Sequence, residues 1–283
     1  GLTRKGSLVS CRRMQSSPFL NIKTTPNYSS GHLVQWWLKP TFNGQPPYKF
    51  TVYGYQDPSV LEPIFTKEVG ENFYTIDKTK QRQNFADGYC YRVRLTTNDG
   101  KTYDSNPVSL GGSDLNRHKY LLASEMVRKE WLRLRYAGQF GYLLKRKIYS
   151  PAALNEVDPV TGEPMVDIKS GSYGVGHGDG FFPPALFKFS VEKADQSLDY
   201  HESGQGPTYK EELMIRTVGY PYVTPHDILV TSEGKRYQVD DVQEIHFPGS
   251  FFVLVQNCKC HIITDTDTVY AISVPEIPAS DTP

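Results

Sequence analysis

The chain reads as a mostly β protein, two β-modules set on either side of one basic helix. Its 283 residues include 19 Tyr, 14 Phe, 20 Pro and 23 Gly, a composition that favours many short strands joined by turns over a helical bundle. Short runs of alternating apolar and polar residues recur between Gly and Pro clusters on both sides of the stretch 114–149, the only long segment with helical periodicity. The length is sufficient for two domains that each bury a core. The organisation expected is a basic arm over 1–14, a first β-module over 15–112, a helix over 113–140, a second β-module over 141–275 with a long loop at 151–180, and a tail over 276–283.

In the first module, LVQWWL places Val34, Trp36 and Leu38 on one face and Leu33, Gln35 and Trp37 on the other before Pro40 ends the run. YKFTVYGY repeats the pattern after the turn at Gly44 and Pro46-Pro47, and shorter strands are expected at 64–69 and 73–76. YCYRVRLTTNDG then aligns Tyr89, Tyr91, Val93 and Leu95 on one side, with Asn98-Asp99-Gly100 closing a hairpin. This order resembles the fibronectin type III version of the immunoglobulin-like sandwich. The resemblance implies that Trp36 is the core tryptophan and Tyr89 the tyrosine-corner residue. Sandwiches of this type share no chemistry, so the fold by itself implies no function. Trp37 stands on the face opposite Trp36, where it either packs under a neighbouring element or serves as a binding aromatic.

The helix is expected to start at Ser113 or Asp114 as N-cap and to end by Gly138 and Gly141. Leu115, Leu122, Met126, Val127, Trp131 and Leu134 recur at helical intervals as an apolar stripe. Arg128, Lys129, Arg133 and Arg135 take most of the rest. Lys and Arg balance Asp and Glu at 31 each over the whole chain, but residues 114–147 hold nine bases against three acids. Three readings fit this basic face: a solvated surface, a docking face for an acidic protein neighbour, or an approach to DNA phosphates. Trp131 and Tyr136 among the bases favour the second, as aromatic anchors do at interfaces. No helix-turn-helix, zinc-finger or ribonucleoprotein signature supports the third. The ends are also charged oppositely: Arg4, Lys5, Arg12 and Arg13 in the arm, and four acids without a base from 265 to 283.

In the second module, GYLLKRKIYS reads as a first strand emerging from the helix. After the long loop, strand-like runs follow at 185–191, 211–218, 227–230, 237–245, 251–263 and 268–274, with Gly turns at Glu233-Gly234 and Pro248-Gly249. Short strands of this spacing suggest a small closed or half-closed barrel. The succession of a basic helix, LLKRKIY, DPVTGEP, FFPP, HDILVTSEGKRYQVDDV and DTVYAI over 114–274 resembles the neck proteins of tailed bacteriophages. That resemblance implies a virion structural protein made in the host cytoplasm, forming a homo-oligomeric ring or collar that contacts the portal and other neck or tail proteins. Genome DNA would at most pass through its channel without sequence-specific binding. Contact residues expected on this basis are Arg128, Trp131, Arg133, Arg135 and Tyr136 on the helix, and Tyr173, His177, Phe181 and Phe182 in or beside the long loop. Proteins of that kind often carry paired cysteines in the long loop, consistent with a small metal site, but residues 158–180 contain none, so the resemblance implies no loop zinc here.

The four cysteines, Cys11, Cys90, Cys258 and Cys260, are too few for a disulfide scaffold. No run approaches a membrane span and no signal-peptide plan is present, so a soluble chain in a reducing compartment is expected. Cys258-Lys259-Cys260-His261 suggests zinc, but on a strand the two thiols share one face and His261 takes the other, a poor fit to tetrahedral chelation. His177 and Asp179 lie in a Gly-rich loop without a nucleophile motif or a phosphate-loop ending. No cofactor and no enzymatic activity is expected. The alternative reading is a carbohydrate- or surface-binding fibronectin-type adhesin module using an exposed Trp37 and the Tyr-rich turns. A hydrolase ranks third, because no paired carboxylates can be identified.

Overall fold

The structure is a computed structural model and describes residues 17–26, 31–59, 61–79, 89–110, 115–147, 180–200 and 207–277. The first module pairs strand β1 (Phe19–Pro26) with β2 (His32–Leu38) and β2 with β5 (Tyr74–Asp77). Facing it is a five-stranded sheet of β4 (Phe65–Val69), β3 (Lys49–Tyr55), β6 (Cys90–Thr96) and β7 (Thr102–Asp104), with β8 (Val108–Ser109) also paired to β6. The strand partners match the fibronectin-type sandwich. Trp36 crosses the interior to Phe50, their rings 5.1 Å apart, and Val34, Val52, Val93 and Leu95 are buried around them. Tyr89 and Tyr91 converge on buried Asp77, their hydroxyls 3.2 and 2.8 Å from its Oδ2. Gly100 closes the β6–β7 hairpin at φ +78°, a conformation that residues with a Cβ rarely adopt.

The helix α1 (Arg117–Ala137) begins later than the sequence suggests. Its N-cap is Asn116, whose side chain accepts the Lys119 N–H at 3.0 Å, whereas Ser113 and Asp114 lie outside the described residues. Tyr120, Ala123, Ser124, Val127 and Leu134 form its buried line. The expected stripe is corrected here: Leu122 and Met126 belong to the outward face, Leu122 lying roughly a third of a turn and Met126 about a quarter turn from Val127 and Leu134.

The second module is a closed barrel. Around its girth run β10 (Ala185–Tyr200), β11 (Pro207–Val218), β14 (Val253–Ile262), β13 (Arg236–His246), β12 (Ile228–Thr231) and β9 (Gln139–Leu144). The helix feeds β9 directly through Gly138, whose N–H bonds to the Leu134 carbonyl at 2.9 Å. Alternate residues of each strand fill the interior, among them Leu143, Phe187, Leu213, Ile215, Leu229, Val239, Cys258 and Cys260. On the opposite side of the wall, Tyr142, Leu144, Ile228 and Val230 form a separate apolar patch.

That patch explains one departure from the sequence reading. Residues 268–274 are not a strand: Thr268–Ala271 is a single 3-10 turn capped by Asp267, whose carboxylate accepts the Val269 N–H at 2.9 Å. The segment from 264 to 277 is a strap lying on the outside of β9 and β12, with Val269, Tyr270, Ile272, Val274 and Ile277 against the patch. Arg236 fastens it by donating to the Val269 and Ile272 carbonyls. The β10–β11 hairpin is also longer than its apolar pattern, 16 and 12 residues. Its distal part, EKADQSLDY against PTYKEE, is polar and gives no period-two signal. There the backbone ladder between the two strands forms the ribbon.

The two modules share one continuous core. The outer face of the β1-β2-β5 sheet is covered by the second module, which is why LVQWWL is apolar on both faces. Leu33 and Gln35 are wholly buried. Trp37 meets Tyr222 edge-on at 5.0 Å and Tyr74 meets Tyr220 at 5.5 Å. Lys147 pairs with Glu71 at 3.2 Å.

Candidate functional site

The candidate regions are the junction between the modules and the outward face of α1. The junction is organised by the loop 219–227 between β11 and β12. Gln35 Oε1 accepts the Tyr222 N–H at 3.0 Å from the sandwich side. From the barrel side Gln256 accepts the Val223 N–H at 2.9 Å and donates to the Val218 and Pro221 carbonyls, both at 3.0 Å. Beneath the loop Lys145 and Asp227 form a buried ion pair of 2.7 Å. Lys145 Nζ also donates to Thr224 Oγ1 at 2.6 Å and to the Tyr222 carbonyl at 3.1 Å. Asp227 accepts the backbone N–H of Arg146 at 3.0 Å and of Thr224 at 2.7 Å. Burial lowers the Lys145 pKa from its ordinary value, and the Asp227 charge partly opposes this. Both charges are spent on each other and on backbone, an arrangement that fixes a loop and offers no free acid or base.

Trp37 is therefore half-buried between the modules, packed on Tyr222 rather than standing free. Cys258 and Cys260 point into the barrel, completely buried. Burial is the chief reason that the Cys258 thiol is pushed up to about 12, and it raises Cys260 as well. His261 points outward and meets Asp240 at 2.7 Å. Among the described residues no group of three His, Cys, Asp or Glu side chains stands close enough to hold a metal ion.

The helix positions expected to make contacts are placed as follows. Arg128 pairs with Glu125 at 2.8 Å. Arg133 bridges Glu130 at 3.2 Å and Glu192 of β10 at 2.9 Å, while Arg216 of β11 joins Glu130 at 2.8 Å. The Arg133–Glu192 and Arg216–Glu130 pairs dock the helix on the outside of the barrel, where it contacts β10, β11 and β14. Partly exposed pairs of this kind contribute about 0–1 kcal/mol each. Trp131 is half-buried against the core. Arg135 is exposed, and Tyr136 is 85% exposed. Phe181 is half-buried on the outer patch. Phe182 is turned inward, its ring 5.4 Å from Phe73, so its side chain is committed to the junction. Tyr173 and His177 lie outside the described residues.

The outward face of α1 carries more than the sequence reading assigned to it. Leu122 is 57% and Met126 38% exposed, in line with Tyr136. Arg117, Lys119, Lys129 and Arg135 stand exposed around them. The signal that finds these apolar positions is the helical phase relative to Tyr120 and Ala123, two residues omitted when the stripe is drawn through leucines alone.

No helix among the described residues is long and apolar enough to cross a membrane. Comparison with models of known protein families gave no match, and comparison with curated protein sequences gave none either.

Proposed function

We propose that this chain is a structural protein of a tailed-bacteriophage neck, assembling as an oligomeric ring between portal and tail. The observation that carries the reading is the outward face of α1, where Leu122, Met126 and Tyr136 lie exposed in line among bases. Aligned apolar side chains rimmed by charge on a folded surface favour a macromolecular partner. The word order of the sequence from 114 to 274 supplies the class of assembly. Barrel closure agrees with it: closing the sheet removes edges that would otherwise pair indiscriminately, so copies associate through outer faces. The barrel and helix surround the ring axis, DNA passes through the channel without base recognition, and the sandwich sits to one side as a decoration or a further contact. The protein performs no catalysis in this role.

The test is direct. Purified protein is examined by sedimentation velocity across a concentration series at low salt and by electron microscopy. Rings or discrete oligomers are expected. A strict monomer at every concentration, also in the presence of portal and neck proteins from the same virion, refutes the proposal.

A further inference from the structure

The ring reading leaves open which surface of one copy meets which surface of the next. The barrel supplies the geometry. In the closed order β10-β11-β14-β13-β12-β9, the β11–β14 side lies opposite the β12–β9 side. The helix covers the first, contacting β10, β11 and β14. The strap from 264 to 277 covers the second, resting on β9 and β12. Among the described residues, these two non-strand coverings of the barrel thus lie on different sides of it, and a head-to-tail contact between copies joins two different surfaces.

Their charges are opposite. Arg117, Lys119, Lys129 and Arg135 are exposed on α1, and no carboxylate among the described residues pairs with any of them. The acids of the helix are already used: Glu125 holds Arg128, and Glu130 holds Arg133 and Arg216. The strap carries Asp265, Asp267 and Glu276, all exposed, and no base. Apolar groups lie beside both sets of charge: Leu122, Met126 and Tyr136 on the helix, and half-buried Ile272, Val274 and Ile277 along the strap.

We infer that the outward face of α1 docks on the acidic C-terminal strap of a second copy of this chain, forming the heterologous contact of the ring. The inference rests on the ring reading and makes it specific. Apolar anchors surrounded by complementary charge set the register, and like-charged pairings of strap on strap or helix on helix are disfavoured.

The test uses two doubly reversed variants of the full chain. Lys129→Glu with Arg135→Glu makes the helix face acidic, and Asp265→Lys with Glu276→Lys makes the strap basic. Asp267 is left in place because it caps the 3-10 turn. Each variant alone is expected to self-associate at least about tenfold more weakly than the parent. An equimolar mixture is expected to regain association, since each acidic helix face then meets a basic strap. Circular dichroism and melting confirm that both variants fold; if the helix variant does not, Lys119→Glu with Lys129→Glu replaces it. Oligomers unaffected by either reversal overturn this contact while leaving the ring reading standing. Loss of association in both variants without rescue on mixing also overturns it. A parent chain that is monomeric throughout overturns both.

Discussion

Removing Asp227 should destabilise the protein more than removing its partner Lys145, although the two share one 2.7 Å ion pair. In Asp227→Ala the Lys145 ammonium stays buried with only two neutral acceptors, Thr224 Oγ1 and the Tyr222 carbonyl. The N–H groups of Arg146 and Thr224 also lose their acceptor. A stranded buried charge costs about 3–5 kcal/mol, and each orphaned buried donor adds about 1 kcal/mol or more, so a loss of about 5 kcal/mol is expected. In Lys145→Met the carboxylate keeps both backbone donors and the thioether refills most of the aliphatic volume, so about 3 kcal/mol is expected. The double variant should fall short of the sum by about 2 kcal/mol, the coupling of a contacting pair. Urea unfolding measures all three. Fluorescence follows Trp36, Trp37 and Trp131 together, and circular dichroism follows the whole chain. An Asp227→Ala loss below about 1 kcal/mol, or strict additivity, refutes the argument that this pair holds the 219–227 loop.

Two further outcomes follow from the same structure. Trp37→Ala should cost about 2 kcal/mol, less than a wholly buried tryptophan, and should loosen the junction. Limited proteolysis then cuts the 219–227 loop faster than in the parent, and an unchanged cleavage rate contradicts the packing on Tyr222. The second concerns alkaline pH. Folding holds the Cys258 proton to about 12, whereas the unfolded chain releases it near 9.0. The folded state therefore binds more protons between these values, and stability from this thiol is intact below pH 9 and declines above it by about 1.4 kcal/mol per pH unit. Lys145, lowered by burial, acts in the opposite sense below 10.5, so the thiol is isolated by difference. The stability gap between parent and Cys258→Ala should be constant below pH 9 and narrow above it. A constant gap to pH 11 in thermal melts refutes the assignment.

Much of the fold is legible in residue order. Tyr89, Tyr91, Val93 and Leu95 alternate because one face of β6 packs into the sandwich, and a period of two survives in any strand with one wet face. The Gly turns at 100 and 234 are visible for a similar reason, since both adopt positive φ. The helix is visible, but its phase is not. Leucine spacing draws a stripe through Leu122 and Met126, whereas the buried line uses Tyr120, Ala123 and Ser124, small or polar-tipped residues that weigh less than leucine in a hydropathy count. The β10–β11 ribbon is invisible beyond residue 193, because the backbone ladder holds it and leaves no apolar pattern.

Sequence alone determined the mostly β class, the two modules, the basic helix between them and the opposite charges of helix and tail. These are properties of local periodicity and composition. Tertiary structure decided closure of the barrel, the turn of Phe182 and Trp37 into the junction, the placing of two thiols inside the wall, and the strap made from an apparent strand. Each of these depends on which surface meets which. Apolar side chains lower their free energy against any dry partner, so the pattern that makes a residue bury itself does not say where.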